Sequence, residues 1–271
     1  MWNTIIITLA VGAALIVGLI ANRYVRPFAK TEVQGVKLET LTGPIVSITV
    51  LLLAFSLVTV YQSYLRGWSA ASDEARKVDY QFEMSQLLDE PERKMAMAAT
   101  ACYAAAVANY EWSTMVDGRT ASEVSPWTKQ LSAVVAAVVK KDEVPSPVLS
   151  TLLAADRDRG EARSRRLTEA QAAVPPEIKG LLVVTAALGI LILGTFTLGN
   201  VNRRVQIGVL STLALIFILF LSAIWDMDSP YKGIITIGPV DISRVAGSLM
   251  EDFTEDYPDA ALPCDETGRQ D

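Results

Sequence analysis

The chain has 271 residues, 51% of them hydrophobic, with a net charge of −6, no histidine and two cysteines. The missing histidine excludes Ser-His-Asp and Cys-His nucleophile pairs and histidine-ligated zinc, and two cysteines are too few for an iron–sulfur cluster. The negative charge argues against nucleic-acid binding, which needs clustered Lys and Arg, so we expect no enzyme, no cofactor and no metal site.

Two apolar segments open the chain, residues 2–21 and 41–61, and each is long enough to cross a hydrocarbon core about 30 Å thick. A cleaved signal peptide is the alternative for the first segment, but such a peptide begins with basic residues. Here Arg23 and Arg26 follow the apolar stretch instead. The sequence therefore predicts two retained transmembrane helices.

Residues 62–178 are predicted to form a helical bundle domain inserted between the second and third spans. After Tyr61 no helix breaker except Gly67 precedes Pro91, so the second span is expected to continue outward as one long helix towards Leu88. Further helices are predicted after Pro91 and at the Ser-Pro pairs 125–126 and 146–147. The run 157–166 mixes basic and acidic residues, which favours a solvated helix face over a lipid-headgroup site.

Two more spans are predicted at residues 180–199 and 207–225, close enough to form a helical hairpin. Residues 226–253 are expected to form a turn, a short extended segment and a helix. Residues 254–271 are acidic with few apolar side chains, a composition typical of a disordered tail. The predicted fold is thus an all-α polytopic membrane protein with four transmembrane helices.

Positive charges in the short loops set the predicted orientation, because such loops remain in the cytoplasm. These residues are Arg23, Arg26, Lys30 and Lys37 in the first loop, and Arg203 and Arg204 in the second. The middle domain and both termini are therefore expected outside the cytoplasm, with the spans in a bacterial plasma membrane. Basic residues near the ends of the middle domain favour the opposite orientation, namely Arg66, Arg76, Lys77 and Lys179.

Hydroxyl side chains recur every seven residues along the second span, at Thr42, Thr49, Ser56 and Ser63, with Thr59 close to the same face. A seven-residue step drifts by only about 20° around a helix, so the four side chains form one narrow stripe. One interpretation is that this stripe lines a pore in an oligomer. The other is that the hydroxyls bond to their own helix or to a neighbouring one, which is common in membranes.

Cys102 and Cys264 both fall in segments that are predicted to lie outside the cytoplasm. That compartment permits a disulfide between them. The alternative is that Cys102 is a small buried residue in an Ala-rich helix, and Cys264 a free thiol in a mobile tail.

Three segments together carry a family resemblance. They are Ala70, Ala71 and Glu74-Ala75 after the second span; the block Tyr103, Glu111, Trp112, Met115 and Gly118; and the turn Asp228, Pro230, Tyr231 and Gly233. Their combination resembles the bacterial and plant membrane family known for a bestrophin-like domain of unknown function, although Phe is commoner than Tyr at position 231. The resemblance implies an architecture like that of bestrophin anion channels, and it implies no settled activity.

Two acidic residues of these segments invite a closer interpretation. Glu111 beside Trp112 is an arrangement found at ligand sites, but more often the Trp is buried and the Glu pairs with an Arg. Asp228 is expected to fix the turn that leaves the fourth span. We therefore predict no catalytic residue.

The leading functional hypothesis is a homo-oligomeric, ion-channel-like protein in the lipid bilayer, with the second span lining the path. Four helices alone enclose little space, so conduction requires several copies around an axis. The alternative is a non-conducting membrane scaffold or sensor whose outer domain binds a partner. The sequence specifies neither the ion nor the protein partner.

Overall fold

The computed structural model describes residues 2–25, 38–141, 144–196 and 203–270, with the backbone alone for Trp2, Val25 and residues 38–42. The helices are α1 (Trp2–Val25), α2 (Leu38–Ser85), α3 (Glu92–Ala106), α4 (Trp112–Thr114), α5 (Ser125–Lys141), α6 (Ser146–Glu169), α7 (Pro176–Phe196), α8 (Arg203–Met227) and α9 (Val240–Asp256). A π-helical turn, Val107–Glu111, joins α3 to α4, and 3₁₀ turns follow at Met115–Asp117 and Ser122–Val124.

The all-helical prediction is confirmed for the described residues, where one isolated bridge, between Cys264 and Gln270, is the only extended pairing. Four helices, α1, α2, α7 and α8, are long and apolar enough to cross a membrane. The second span does continue as one helix, since α2 runs unbroken for 48 residues. The helices of the third and fourth spans begin about one turn earlier than the predicted apolar segments, because flanking polar residues extend them.

The chain forms two compact units. The first unit comprises residues 1–63 and 173–228, and in it α1 packs against α7 and α8. Its interior is filled by apolar side chains that include Ile7, Leu53 and Ile190. The tightest approach is at Gly18, where an added Cβ would lie 2.8 Å from the Leu191 carbonyl oxygen and 3.1 Å from the Cα of Gly194.

The second unit comprises residues 64–172 together with residues 229–271. It therefore differs from the expected domain at 62–178, because α9 belongs to it. The residues Ile242, Ala246, Leu249 and Phe253 lie on one face of α9 and are buried. They join Phe82, Tyr103 and Trp127 in a single core, and α9 packs against α3. Each such large apolar side chain contributes about 1.5–3 kcal/mol on burial.

The acidic tail was expected to be disordered, and this prediction is wrong for residues 254–270, of which the first three belong to α9. Cys264 forms a disulfide with Cys102 of α3, with 6.0 Å between the Cα atoms. The buried indole N–H of Trp127 donates to the Gly268 carbonyl oxygen at 2.7 Å. Gly268 has φ +82°, and an added Cβ would lie 2.2 Å from the backbone nitrogen of Ala106, so the tail fits closely against α3.

Candidate functional site

The predicted hydroxyl stripe on α2 is divided between buried and open positions. Thr49 and Ser63 are 3% and 1% exposed within the first unit. Ser56 is half-buried and Thr59 is exposed. The side chain of Thr42 lies outside the described part of the chain. The five residues therefore do not form one continuous open face.

Each of the three described hydroxyls in the middle of the span donates to its own helix. Thr49 donates to the Ile45 carbonyl oxygen at 2.9 Å, Ser56 to Leu52 at 2.8 Å, and Thr59 to Phe55 at 2.9 Å. Thr49 also faces α7, since a Cβ added at Gly189 would lie 3.6 Å from its Oγ1. These contacts favour the packing interpretation of the seven-residue repeat.

The opposite face of α2 is open. The buried face of α2, on the other side of the helix, includes Thr49, Leu53, Val60 and Ser63. At about 100° per residue, Leu51, Ala54 and Val58 lie on the other side of the helix. Leu51 and Val58 are 55% and 52% exposed, and Ala54 is exposed as well. This face, which we call the open α2 face, is apolar from Leu51 to Val58.

A buried charged cluster occupies the second unit. Arg166 of α6 is fully buried and bonds to two buried carboxylates. Its Nε donates to Glu74 of α2, and one terminal nitrogen donates to Glu111 of the π-turn at 2.5 Å. Arg163 donates to Glu111 through its Nε at 3.1 Å and through a terminal nitrogen. Tyr103 of α3 donates its hydroxyl to Glu74 at 2.6 Å.

Burial and nearby charges together shift the pKa values of two groups in this cluster. Burial raises the pKa of Glu111, but hydrogen bonds and positive charges from Arg163 and Arg166 outweigh it and hold the pKa below its usual value. Burial and the nearby Glu74 carboxylate raise the pKa of the Tyr103 phenol well above its usual range. Glu111 is therefore ionised and Tyr103 protonated at neutral pH.

Aromatic and sulfur groups complete the surroundings of Arg166. Its guanidinium carbon lies 4.8 Å from the centre of the Trp112 ring, a cation–π contact, and a terminal nitrogen lies 2.7 Å from the sulfur of Met115. The Trp112 ring meets the Tyr231 ring edge to face at 5.7 Å. The Tyr231 hydroxyl donates to the Gly67 carbonyl oxygen at 2.8 Å.

The structure thus gathers six residues of the family segments around one arginine, namely Glu74, Tyr103, Glu111, Trp112, Met115 and Tyr231. Two glycines of those segments have backbone roles. Gly118 ends a 3₁₀ turn at φ +71°, and Gly233 has φ +123° in the turn after α8. Pro230 lies beside Gly67, where an added Cβ would come within 3.3 Å of it.

Asp228 is the last residue of the first unit. Its carboxylate is buried and accepts hydrogen bonds from the backbone nitrogens of Ala173 at 3.0 Å and Val174 at 2.9 Å. It also pairs with Lys179 in the first turn of α7. Asp228 therefore fixes the chain between α6 and α7.

The run 157–166 was expected to be a solvated face, and this prediction is wrong for two of its arginines. Arg159 is 4% exposed and Arg166 is fully buried. Their positions continue the buried stripe of α6, which also includes Leu152, Ala155 and Ala162. The spacing of three and four residues was the signal that could have found them. Arg163 is half-buried and is not part of this stripe, so the spacing does not identify it.

The cluster has the chemistry of a structural ion network. Every carboxylate and guanidinium in it is paired, which leaves no group free to act as a base or nucleophile. In the part of the chain that the structure describes, no group of three His, Cys, Asp or Glu residues is arranged to hold a metal ion.

Comparisons with known proteins identify the family and the fold. The sequence matches the family model described as a Bestrophin-like domain over residues 5–242. A bacterial bestrophin homologue from Klebsiella pneumoniae has a similar fold, with a TM-score of 0.68, 9% identity, and coverage of 97% of this chain and 99% of that one. A single-residue variant of that homologue has a TM-score of 0.69 and 10% identity, with coverage of 98% of this chain and 100% of that one. No curated protein sequence matches the chain.

Proposed function

The chain belongs to the bestrophin-like family, and we propose that it forms a homo-oligomeric ion channel in the bacterial plasma membrane, with α2 lining the path. The observation that carries this proposal is the family match over residues 5–242, which includes α2, α7, α8 and all but the first residues of α1. The expectation of conduction comes from the architectural likeness of this family to bestrophin channels.

The path is proposed to lie between copies of the chain. The interior of the first unit is filled by packed apolar side chains, among them Val11, Leu53 and Leu221. A hydrated path needs a ring of helices around an axis, and packed apolar interiors exclude water. Several copies arranged around an axis supply such a ring.

The open α2 face is proposed to face that axis. In a ring built from one α2 per copy, the side of α2 turned away from its own helices is the side that faces the centre. Leu51, Ala54 and Val58 lie on that side. Their apolar side chains would form a dry constriction, which resists ions until it is wetted.

The second unit is proposed to lie outside the cytoplasm as a helical bundle between the second and third spans, completed by α9 and the tail. Arg203 and Arg204 at the start of α8, with Arg23 in the last turn of α1, support this orientation because basic residues at the ends of short loops stay in the cytoplasm. The disulfide between Cys102 and Cys264 supports it independently, because disulfides persist in oxidising compartments.

Ion flux from liposomes that contain the purified full-length chain tests the channel proposal. We expect flux of a small ion above that of empty liposomes, and a several-fold increase for Val58→Ser, because a hydroxyl favours wetting of the constriction. Leu219→Ser is the matched control, since Leu219 is 59% exposed on α8 and lies off the proposed path. Ion-tight liposomes containing correctly assembled protein would favour the alternative of a membrane scaffold or sensor.

A further inference from the structure

A cavity of about 280 Å³ opens in the second unit between α2, Trp112 and the start of α9. Three aromatic side chains line it, Tyr64, Trp68 and Trp112. Trp112 is fixed there, since its indole N–H donates to the Ile237 carbonyl oxygen at 2.9 Å. Trp68 is 56% exposed, an unusually open position for so large an apolar side chain.

The charge of this cavity is negative. Among the described residues that line it, Asp241 is the only one with a formal charge. Ser72 donates its hydroxyl to the Asp241 Oδ2 atom at 2.6 Å, which holds the carboxylate in place. Arg244 pairs with the Oδ1 atom at 3.3 Å, but its side chain is 72% exposed, and exposed pairs of this kind are weak.

We propose that this cavity binds an organic ammonium group, with Asp241 as the counter-ion and the rings of Tyr64, Trp68 and Trp112 as walls. Aromatic faces attract ammonium cations, and they also accept the methyl or methylene groups attached to the nitrogen. An anion would meet the Asp241 carboxylate without a basic residue on the wall to compensate. The inference concerns the second unit and does not depend on ion conduction.

Such an ammonium group has two sources, the headgroup of an ethanolamine or choline lipid and a free amine in solution. Tyr64 is three residues beyond position 61, the predicted end of the second span. At 1.5 Å per helical residue this is about 5 Å along α2. A lipid headgroup is therefore near enough to enter the cavity, and the experiment separates the two sources.

Titration of the full-length protein with tetramethylammonium chloride, followed by ligand-observed NMR, tests the proposal. We expect saturable binding, and tert-butanol, a neutral molecule of similar size, should bind at least about tenfold more weakly because it lacks the charge. Asp241→Asn should weaken tetramethylammonium binding about tenfold, and Trp68→Leu should weaken it by a similar factor. Asp252→Asn, on an exposed part of the same helix, should leave the binding constant unchanged.

Nanodiscs distinguish the sources. If the natural occupant is a lipid headgroup, tetramethylammonium binds more weakly in nanodiscs that contain phosphatidylethanolamine or phosphatidylcholine than in nanodiscs of phosphatidylglycerol alone. If it is a free amine, the two binding constants agree. Binding that does not saturate, or that is equally strong in the wild type, Asp241→Asn and Trp68→Leu with unchanged circular dichroism and melting temperature, would overturn the proposal.

Discussion

At the scale of single residues, Arg166 organises the second unit. It is a fully buried charge, and removing water from a guanidinium costs several kcal/mol unless anions replace the lost hydration. Glu74 and Glu111 supply two such anions from different elements. The arginine thereby links α6, α2 and the π-turn. Without it, the buried carboxylates of Glu74 and Glu111 would lose a positively charged partner.

We expect Arg166→Met to lower the free energy of unfolding by about 3–5 kcal/mol, because two carboxylates would stay buried and Glu74 would lose its basic partner. Arg165→Met is the matched control, since Arg165 is exposed and its loss should cost less than about 0.5 kcal/mol. Thermal unfolding of the purified protein in one detergent, followed by circular dichroism, measures both. Equal melting temperatures for the two variants would contradict the structural role of the cluster.

The disulfide between Cys102 and Cys264 joins two residues that are 162 positions apart in the sequence and so closes a long loop. A loop of this length corresponds to at most about 4–5 kcal/mol of stabilisation, less where the packed helices already restrict the chain. In protein extracted from membranes without reductant, we expect intact mass to show no alkylated cysteine, and two alkylated cysteines after reduction.

Reduction should also lower the melting temperature of the wild type and leave that of a double Cys→Ser variant unchanged. Two alkylated cysteines in the unreduced protein would show that the bond does not form in the cell. The outer placement of the second unit would then lose one of its two supports.

At the scale of the elements, the crossing of α1 and α7 depends on two glycines. A Cβ at Gly18 would meet the Leu191 carbonyl oxygen at 2.8 Å, closer than side-chain carbons ordinarily come to backbone atoms. Backbone approach of this kind is how helices associate in lipid, where the hydrophobic effect supplies no force between them. The Asn22 amide donates to the Thr195 carbonyl oxygen at 2.7 Å near the same crossing.

Gly18→Val should force α1 and α7 apart and lower stability by about 1–3 kcal/mol, as overpacking does in other cores. Gly12→Val on the same helix is the matched control, because no atom lies within 4 Å of an added Cβ there. The melting temperature in detergent and the elution volume on size exclusion report the effect. A Gly18→Val protein as stable as the control would show that the close approach does not hold the two helices.

Elements whose sequence pattern is continuous could be predicted, and those with a mixed pattern could not. The 48-residue helix α2 was predictable, because no breaker interrupts it after the apolar segment. The buried face of α6 was not, because its charged residues hide a regular spacing that ends in Arg166. Average composition suggested disorder for the tail, whereas one covalent bond at Cys264 and one hydrogen bond from Trp127 order it.

The same limit applies to the candidate site. The family segments identified Glu111, Trp112 and Tyr231 from the sequence, but their partner Arg163 is 52 residues from Glu111 and followed from no local pattern. The seven-residue hydroxyl repeat suggested a pore face, yet such spacing is also that of a helix seam that packs against a neighbour. Burial of Thr49 and Ser63 distinguishes the two within the described part of α2.

At the scale of the whole molecule, the chain combines an apolar unit of membrane-length helices with a second unit that a disulfide and a buried ion network stabilise. The channel proposal concerns the first unit, and the proposed ammonium cavity belongs to the second. The two proposals can therefore be tested independently, and failure of one does not contradict the other.

The central claim is that ions pass along the open α2 face, and a thiol introduced at Val58 tests it most directly. The two native cysteines are bonded to each other, so this thiol is the one reactive group expected in the assembled protein. In planar bilayers, a charged methanethiosulfonate reagent should reduce the current of Val58→Cys by more than half and leave that of Thr49→Cys, buried against α7, unchanged. A Val58→Cys current that persists after complete modification, or a wild type that carries no current, would contradict the account.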